Sequence, residues 1–166
     1  MDEKAKIDIN QVKKGMFWYE DDTFLFERVP DKKIKAIVEL AKDGVVYGDL
    51  TASELFENHE QFTDWFGAKK YIEQFPYQLK QNEEIVWYNI HQLSEIKKHY
   101  NLVEESFKLI GKRCRQFSYW ACEIHPSFYA KCLAFEGGFV NILHKTRRAF
   151  IRPVLSLKVD ISRLIY

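Results

Sequence analysis

The sequence predicts an α+β fold, with antiparallel strands at both ends of the chain flanking two to three helices. Three observations carry that expectation. Apolar residues alternate with period two through residues 15–50, shift to helical spacing between residues 53 and 111, and return to period two from Phe117 onward. Strands grouped apart from helices mark α+β and not an alternating α/β chain. A content of 13 Phe, 9 Tyr and 4 Trp in 166 residues also suits pleated strands better than a helical bundle.

Residues 1–14 are polar and basic and read as a flexible lead-in to one domain over 15–166. Met16–Tyr19 and Thr23–Phe26, joined by Glu20-Asp21-Asp22, predict a first hairpin. In the next stretch Ile34, Ala36, Val38 and Leu40 alternate with Lys35, Ile37 and Glu39, and Asp43-Gly44 supplies a two-residue turn before Val45–Gly48. Ser53–Asn58 reads as a short helical turn. Asp64 is placed to cap a helix that buries Trp65, Ala68 and Ile72 and stops at Pro76. Residues 77–84 read as loop. Asn89 with Gln92 has the spacing of a capping box, opening a helix that buries Ile90, Leu93, Ile96 and Tyr100. Asn101 with Glu104 repeats that pattern ahead of Val103, Phe107 and Ile110, and Gly111 ends the helix. Strands follow near 117–122, 129–135, 139–144 and 149–156, joined by Glu136-Gly137-Gly138 and Lys145–Arg148. Pro153 cannot donate a ladder hydrogen bond, so its strand should end there or lie at an edge.

Composition excludes several classes. Lys plus Arg (25) and Asp plus Glu (24) nearly cancel, so no global field steers the chain to nucleic acid or an anionic membrane. No segment approaches the roughly 18 consecutive apolar residues of a membrane span. The N-terminus carries charges where a signal peptide needs an apolar core, so a cytoplasmic location is expected. Cys114, Cys122 and Cys132 form neither an even disulfide set nor a C-x-x-C pair. The histidines His59, His91, His99, His125 and His144 are scattered, and the nucleophile-elbow, phosphate-loop and dinucleotide motifs are all missing. No catalytic residue, metal site or cofactor is therefore expected.

One stretch holds most of the motif information: Tyr119-Trp120-Ala121-Cys122-Glu123, then Ala130–Phe135 with Gly138 and Val140, then Ile151-Arg152-Pro153-Val154. It resembles the tail Y-W-S-S-T-E … A-W-x-x-x-F-x-x-G-x-V … V-R-P-V of bacterial C-type-lectin-like domains of largely unknown function. These are grouped with the Lcl C-terminal domain and are distantly like formylglycine-generating enzyme. Val86–Leu93 is similar to the W-R-L-P-T-x-x-E-L of that group, and Gly15–Tyr19 with Asp21–Thr23 to its G-x-x-Y-x-D-G-T. Ala121-Cys122 stands where the family has two serines, Lys131 where it has tryptophan, and Asn89-Ile90 where it has Leu-Pro. The resemblance implies a C-type-lectin-like fold that presents variable residues on rigid C-terminal strands and loops.

On that frame Trp120, Glu123, Gly138, Arg152 and Pro153 are expected to hold the sheet, with Arg152 buried and paired to Glu123. His125, Ser127, Tyr129, Lys131, Asn141, His144, Lys145 and Arg147 are the expected ligand-contacting residues, because they depart from the motif or lie in the basic turn. Lys112, Arg113 and Arg115 would enlarge a basic surface if they shared a face with residues 145–148. The expected function is a non-enzymatic module binding a protein or small-molecule ligand. The alternatives are a degenerate oxidase using Cys122 and Cys132, or a structural subunit of a surface assembly.

Overall fold

The computed structural model describes residues 7–55, 61–112, 118–123 and 128–159. Eleven strands and three α-helices run in the order β1 (Phe17–Tyr19), β2 (Phe24–Leu25), β3 (Ile34–Lys42), β4 (Val45–Asp49), β5 (Gln61–Thr63), α1 (Trp65–Glu73), β6 (Glu83–Val86), α2 (Ile90–Lys97), α3 (Asn101–Leu109), β7 (Ser118–Trp120), β8 (Tyr129–Ala134), β9 (Phe139–His144), β10 (Ala149–Ile151) and β11 (Val154–Lys158). This is an α+β architecture, as the change of period predicts.

Two sheets share the work. The first has the order β2-β1-β3-β4-β11-β6, and the second β5-β10-β7-β8-β9. All pairings are antiparallel except β10 with β7. The strand expected over 149–156 is in fact two strands in different sheets. At Arg152-Pro153 the chain leaves the second sheet and enters the first between β4 and β6, where the Leu50 N–H donates to the Pro153 carbonyl at 3.1 Å. Pro153 thus ends a strand, but the strand that follows is interior to its sheet.

The β3–β4 hairpin forms on Asp43-Gly44, with Lys42 opposite Val45. Asp43 at φ 53° and Gly44 at φ 77° adopt the left-handed pair that a two-residue hairpin turn requires. The alternation expected along β3 is broken by a register shift between Val38 and Leu40. This bulge turns Leu40 toward the core that also holds Ile37, instead of keeping it with Ala36 and Val38. Both faces of β3 are buried from Ile34 to Glu39, so its polar residues are internal. On the other face Trp18 lies flat on Gly48, where an added Cβ would fall 2.9 Å from the indole and 2.8 Å from Ala36.

α1 is capped by Asp64, whose carboxylate accepts from the Gly67 N–H at 2.7 Å. α2 carries the full capping box: Asn89 Oδ1 accepts from Gln92 N–H at 2.8 Å, and Gln92 Oε1 from Asn89 N–H at 3.0 Å. α3 is capped differently from expectation. Its cap residue is Tyr100, which makes no side-chain capping bond, and Asn101 is already the first helical residue. Residues 83–84, expected as loop, belong to β6, and the helical turn expected over 53–58 is a 3₁₀ turn at Leu50–Ala52, with 56–58 outside the described residues. In the segment expected as lead-in, Val12 joins the core, and Lys14 Nζ donates to the carbonyls of Glu95, Ile96 and Lys98 at the end of α2.

Candidate functional site

The second sheet is covered on both faces at its centre. Trp65, Ala68 and Ile72 of α1 pack on Trp120, Ala130, Cys132 and Ile151. Leu93 and Ile96 of α2, with Val103 and Phe107 of α3, pack with Tyr119, Leu133 and Phe135 on the other side. Cover ends at the β8–β9 hairpin. Cross-strand partners share a face, so Tyr129 with His144, Lys131 with Ile142 and Leu133 with Val140 form one row on the α2 side. α2 reaches Leu133, and the remainder of the row is open.

The open surface is largely apolar. Phe128 is 75% exposed, Ile142 62%, Val140 51% and Tyr129 47%, whereas Phe139, 69% exposed, lies on the opposite face. The rings of Phe128 and His144 stack at 5.9 Å, and Tyr129 meets the same imidazole edge-on at 5.6 Å. His144 Nδ1 lies 2.6 Å from Thr146 Oγ1, which fixes the ring. Three expected contact residues, Tyr129, Lys131 and His144, are thus brought together on one face. Asn141 projects from the opposite face, opposite Cys132. His125 and Ser127 lie outside the described residues, as do Arg113 and Arg115.

The basic turn divides. Arg147 and Arg148 are exposed, whereas Lys145 is buried with its ammonium 4.6 Å from the Trp65 ring and 5.8 Å from that of Phe66. Its backbone closes the hairpin end, with its N–H donating to Phe128 and its carbonyl accepting from Trp65. Lys112 likewise serves packing, reaching the carbonyls of Thr51 and Ser53.

The expected scaffold residues are buried or bonded as follows. Trp120 is internal, its indole donating to the Thr63 carbonyl at 2.8 Å. Gly138 turns the β8–β9 connection at φ 73°. Arg152 is buried and paired, but its partner is Asp49 at 2.7 Å, with Glu39 at 3.9 Å and the Tyr100 hydroxyl also in contact. Glu123 instead accepts from the Ile90 N–H at 2.6 Å, reinforcing the start of α2. Both Asp49 and Glu39 are fully buried, and burial together with the Asp49 charge pushes the Glu39 carboxyl up to about 8. A second internal cluster, which sequence reasoning passed over, holds Lys35 Nζ between Asp22 (2.8 Å) and Glu83 (2.6 Å) and 5.1 Å from the Trp18 ring. Only the polar parity of Lys35 and Glu39 within an apolar strand signals these clusters in the sequence.

The two described thiols are poor nucleophiles. Burial pushes Cys132 up to about 11, and burial with the Glu123 charge raises Cys122. Among the described residues no group of three or more His, Cys, Asp or Glu side chains could hold a metal ion, and no helix is long and apolar enough to cross a membrane. A groove of about 340 Å³ runs along α1, lined by Gln61, Thr63, Lys70, Tyr71 and Gln74 and by none of the expected contact residues. Neither models of protein families nor curated proteins give a match to this chain.

Proposed function

We propose that the protein is a non-enzymatic binding module on a C-type-lectin-like scaffold, and that it takes a protein partner on the outer face of the β8–β9 hairpin. One observation carries the reading: four large apolar side chains, Phe128, Tyr129, Val140 and Ile142, stand roughly half to three-quarters exposed at a single hairpin that is otherwise backed by two core layers. Apolar surface of this kind, interrupted by Lys131 and bounded by His144, marks an interaction site more often than bare solvent-facing sheet. An exposed strand face suits a polypeptide better than a small molecule, which needs concavity. The competing oxidase reading asks for thiolates, and burial works against both described thiols.

A random-peptide display library selected on the immobilised protein tests this. Enriched peptides are expected to lose binding at least tenfold to a Tyr129→Ser/Lys131→Glu variant whose melting temperature is unchanged. Equal capture by the variant, or a selection that enriches nothing, overturns the assignment.

A further inference from the structure

β9 is the outermost strand on its side of the second sheet among the described residues, and its free edge is built for pairing. The Lys145 N–H bonds to the Phe128 carbonyl at 2.7 Å, one step beyond the Tyr129–His144 pair, so the hydrogen-bonded pairs with β8 fall at 130/143, 132/141 and 134/139. The backbone N–H and C=O of Val140 and Ile142 therefore point away from β8, whereas the His144 carbonyl already accepts from the Arg147 N–H at 2.9 Å. Edges are ordinarily guarded by Lys, Pro, a bulge or a short strand. Phe139–His144 has no lysine, proline or carboxylate, and its six residues pair with β8 without a register break.

We propose that β9 pairs with β9 of a second copy of this chain, antiparallel about a two-fold axis centred on Asn141. The register follows from parity. Opposed residues must share a face and both must present outward backbone groups, which Val140 opposite Ile142 of the second copy satisfies twice over. The same centring sets Asn141 against Asn141 and Phe139 against Leu143, apolar on apolar at every apolar position of the strand. Charge selects the second copy over an unrelated strand. Glu136 is exposed at one end of β9 and Arg147 and Arg148 at the other, so antiparallel pairing brings each acidic end to the other's basic turn. Burying Phe139, Val140 and Ile142 with their neighbours covers on the order of 500 Å² per copy, just below the usual range for stable complexes, so a weak, concentration-dependent dimer is expected. The pairing does not depend on the binding reading, but it sets two Tyr129–Lys131–His144 rows side by side on one continuous face.

Sedimentation equilibrium over a wide concentration range is the direct test. The wild-type mass is expected to rise from 19.8 kDa toward twice that value. Ile142→Lys, and independently Val140→Lys, are expected to remain monomeric at the highest concentration with unchanged melting temperature. Asn141→Cys is expected to form a reductant-sensitive dimer on mild oxidation, whereas Phe62→Cys on the opposite edge strand does not. A wild-type protein monomeric throughout overturns the pairing, and a dimer that survives both lysine variants overturns β9 as its seam. An Asn141→Cys dimer that fails to cross-link overturns the register. Peptide capture by a monomeric wild type would remove the dimer and leave the binding surface standing.

Discussion

One guanidinium cannot neutralise two buried carboxylates, and the molecule resolves this by keeping a proton on Glu39. Arg152 Nη1 sits 2.7 Å from Asp49, whereas Nη2 is 3.9 Å from Glu39. Tyr88 donates its hydroxyl to Glu39 Oε1 at 3.3 Å, and Glu39 Oε2 is buried without a hydrogen bond. Because the folded carboxyl titrates at about 8 against an ordinary 4.5, the folded chain binds this proton more tightly than the unfolded chain. Stability from this group is therefore full below the ordinary value and declines as pH rises toward about 8. Glu39→Gln is expected to flatten that decline: urea denaturation at about pH 8 should show it more stable than wild type by on the order of 1–3 kcal/mol, with the advantage nearly gone by about pH 5. That Arg152 would be internal and paired was legible from its apolar neighbours. Its partner was not, because Asp49 lies 103 residues away in sequence and only the sheet crossover at Pro153 brings the two together.

At the scale of elements, signals confined to one helical turn were the readable ones. The Asn89–Gln92 box closes because both bonds lie within four residues, and Asp64 caps α1 for the same reason. Asn101 carries similar lettering, yet the turn at His99, with φ 57°, and the helical Tyr100 start α3 one residue earlier, so the asparagine is spent inside the helix. Asn89→Ala should therefore cost about 1 kcal/mol of stability, whereas Asn101→Ala should stay within about 0.5 kcal/mol of wild type, both read by chemical denaturation. The bulge at Glu39 left no mark in the sequence, since an extra residue in a strand is created by its partner's register and not by its own composition.

The two sheets are joined where the chain crosses between them and by one core that holds Phe17, Ile34 and Ile37 of the first with Tyr119, Leu133 and Phe135 of the second. β10 pairs in the second sheet, β11 in the first, and only Arg152 and Pro153 separate them. Trp18 is buried in the first sheet's core, and Trp65 and Trp120 in the second's. The two sheets should consequently unfold as one unit. Fluorescence of a Trp18→Phe variant, which leaves the second sheet's indoles reporting, should give the same urea midpoint as its far-ultraviolet circular dichroism, and separated midpoints would break this coupling. From the sequence alone came the α+β class, the β3–β4 turn, two of the three helix starts and the burial of Trp120 and Arg152. Each rests on periodicity or on a hydrogen bond that spans a few residues. Tertiary structure alone decided that Arg152 joins Asp49, that Lys145 lies beneath Trp65, and that β9 is the outermost strand of its sheet among the described residues. Those outcomes depend on which distant strands become neighbours, and the lettering of any one strand is silent about the strand beside it.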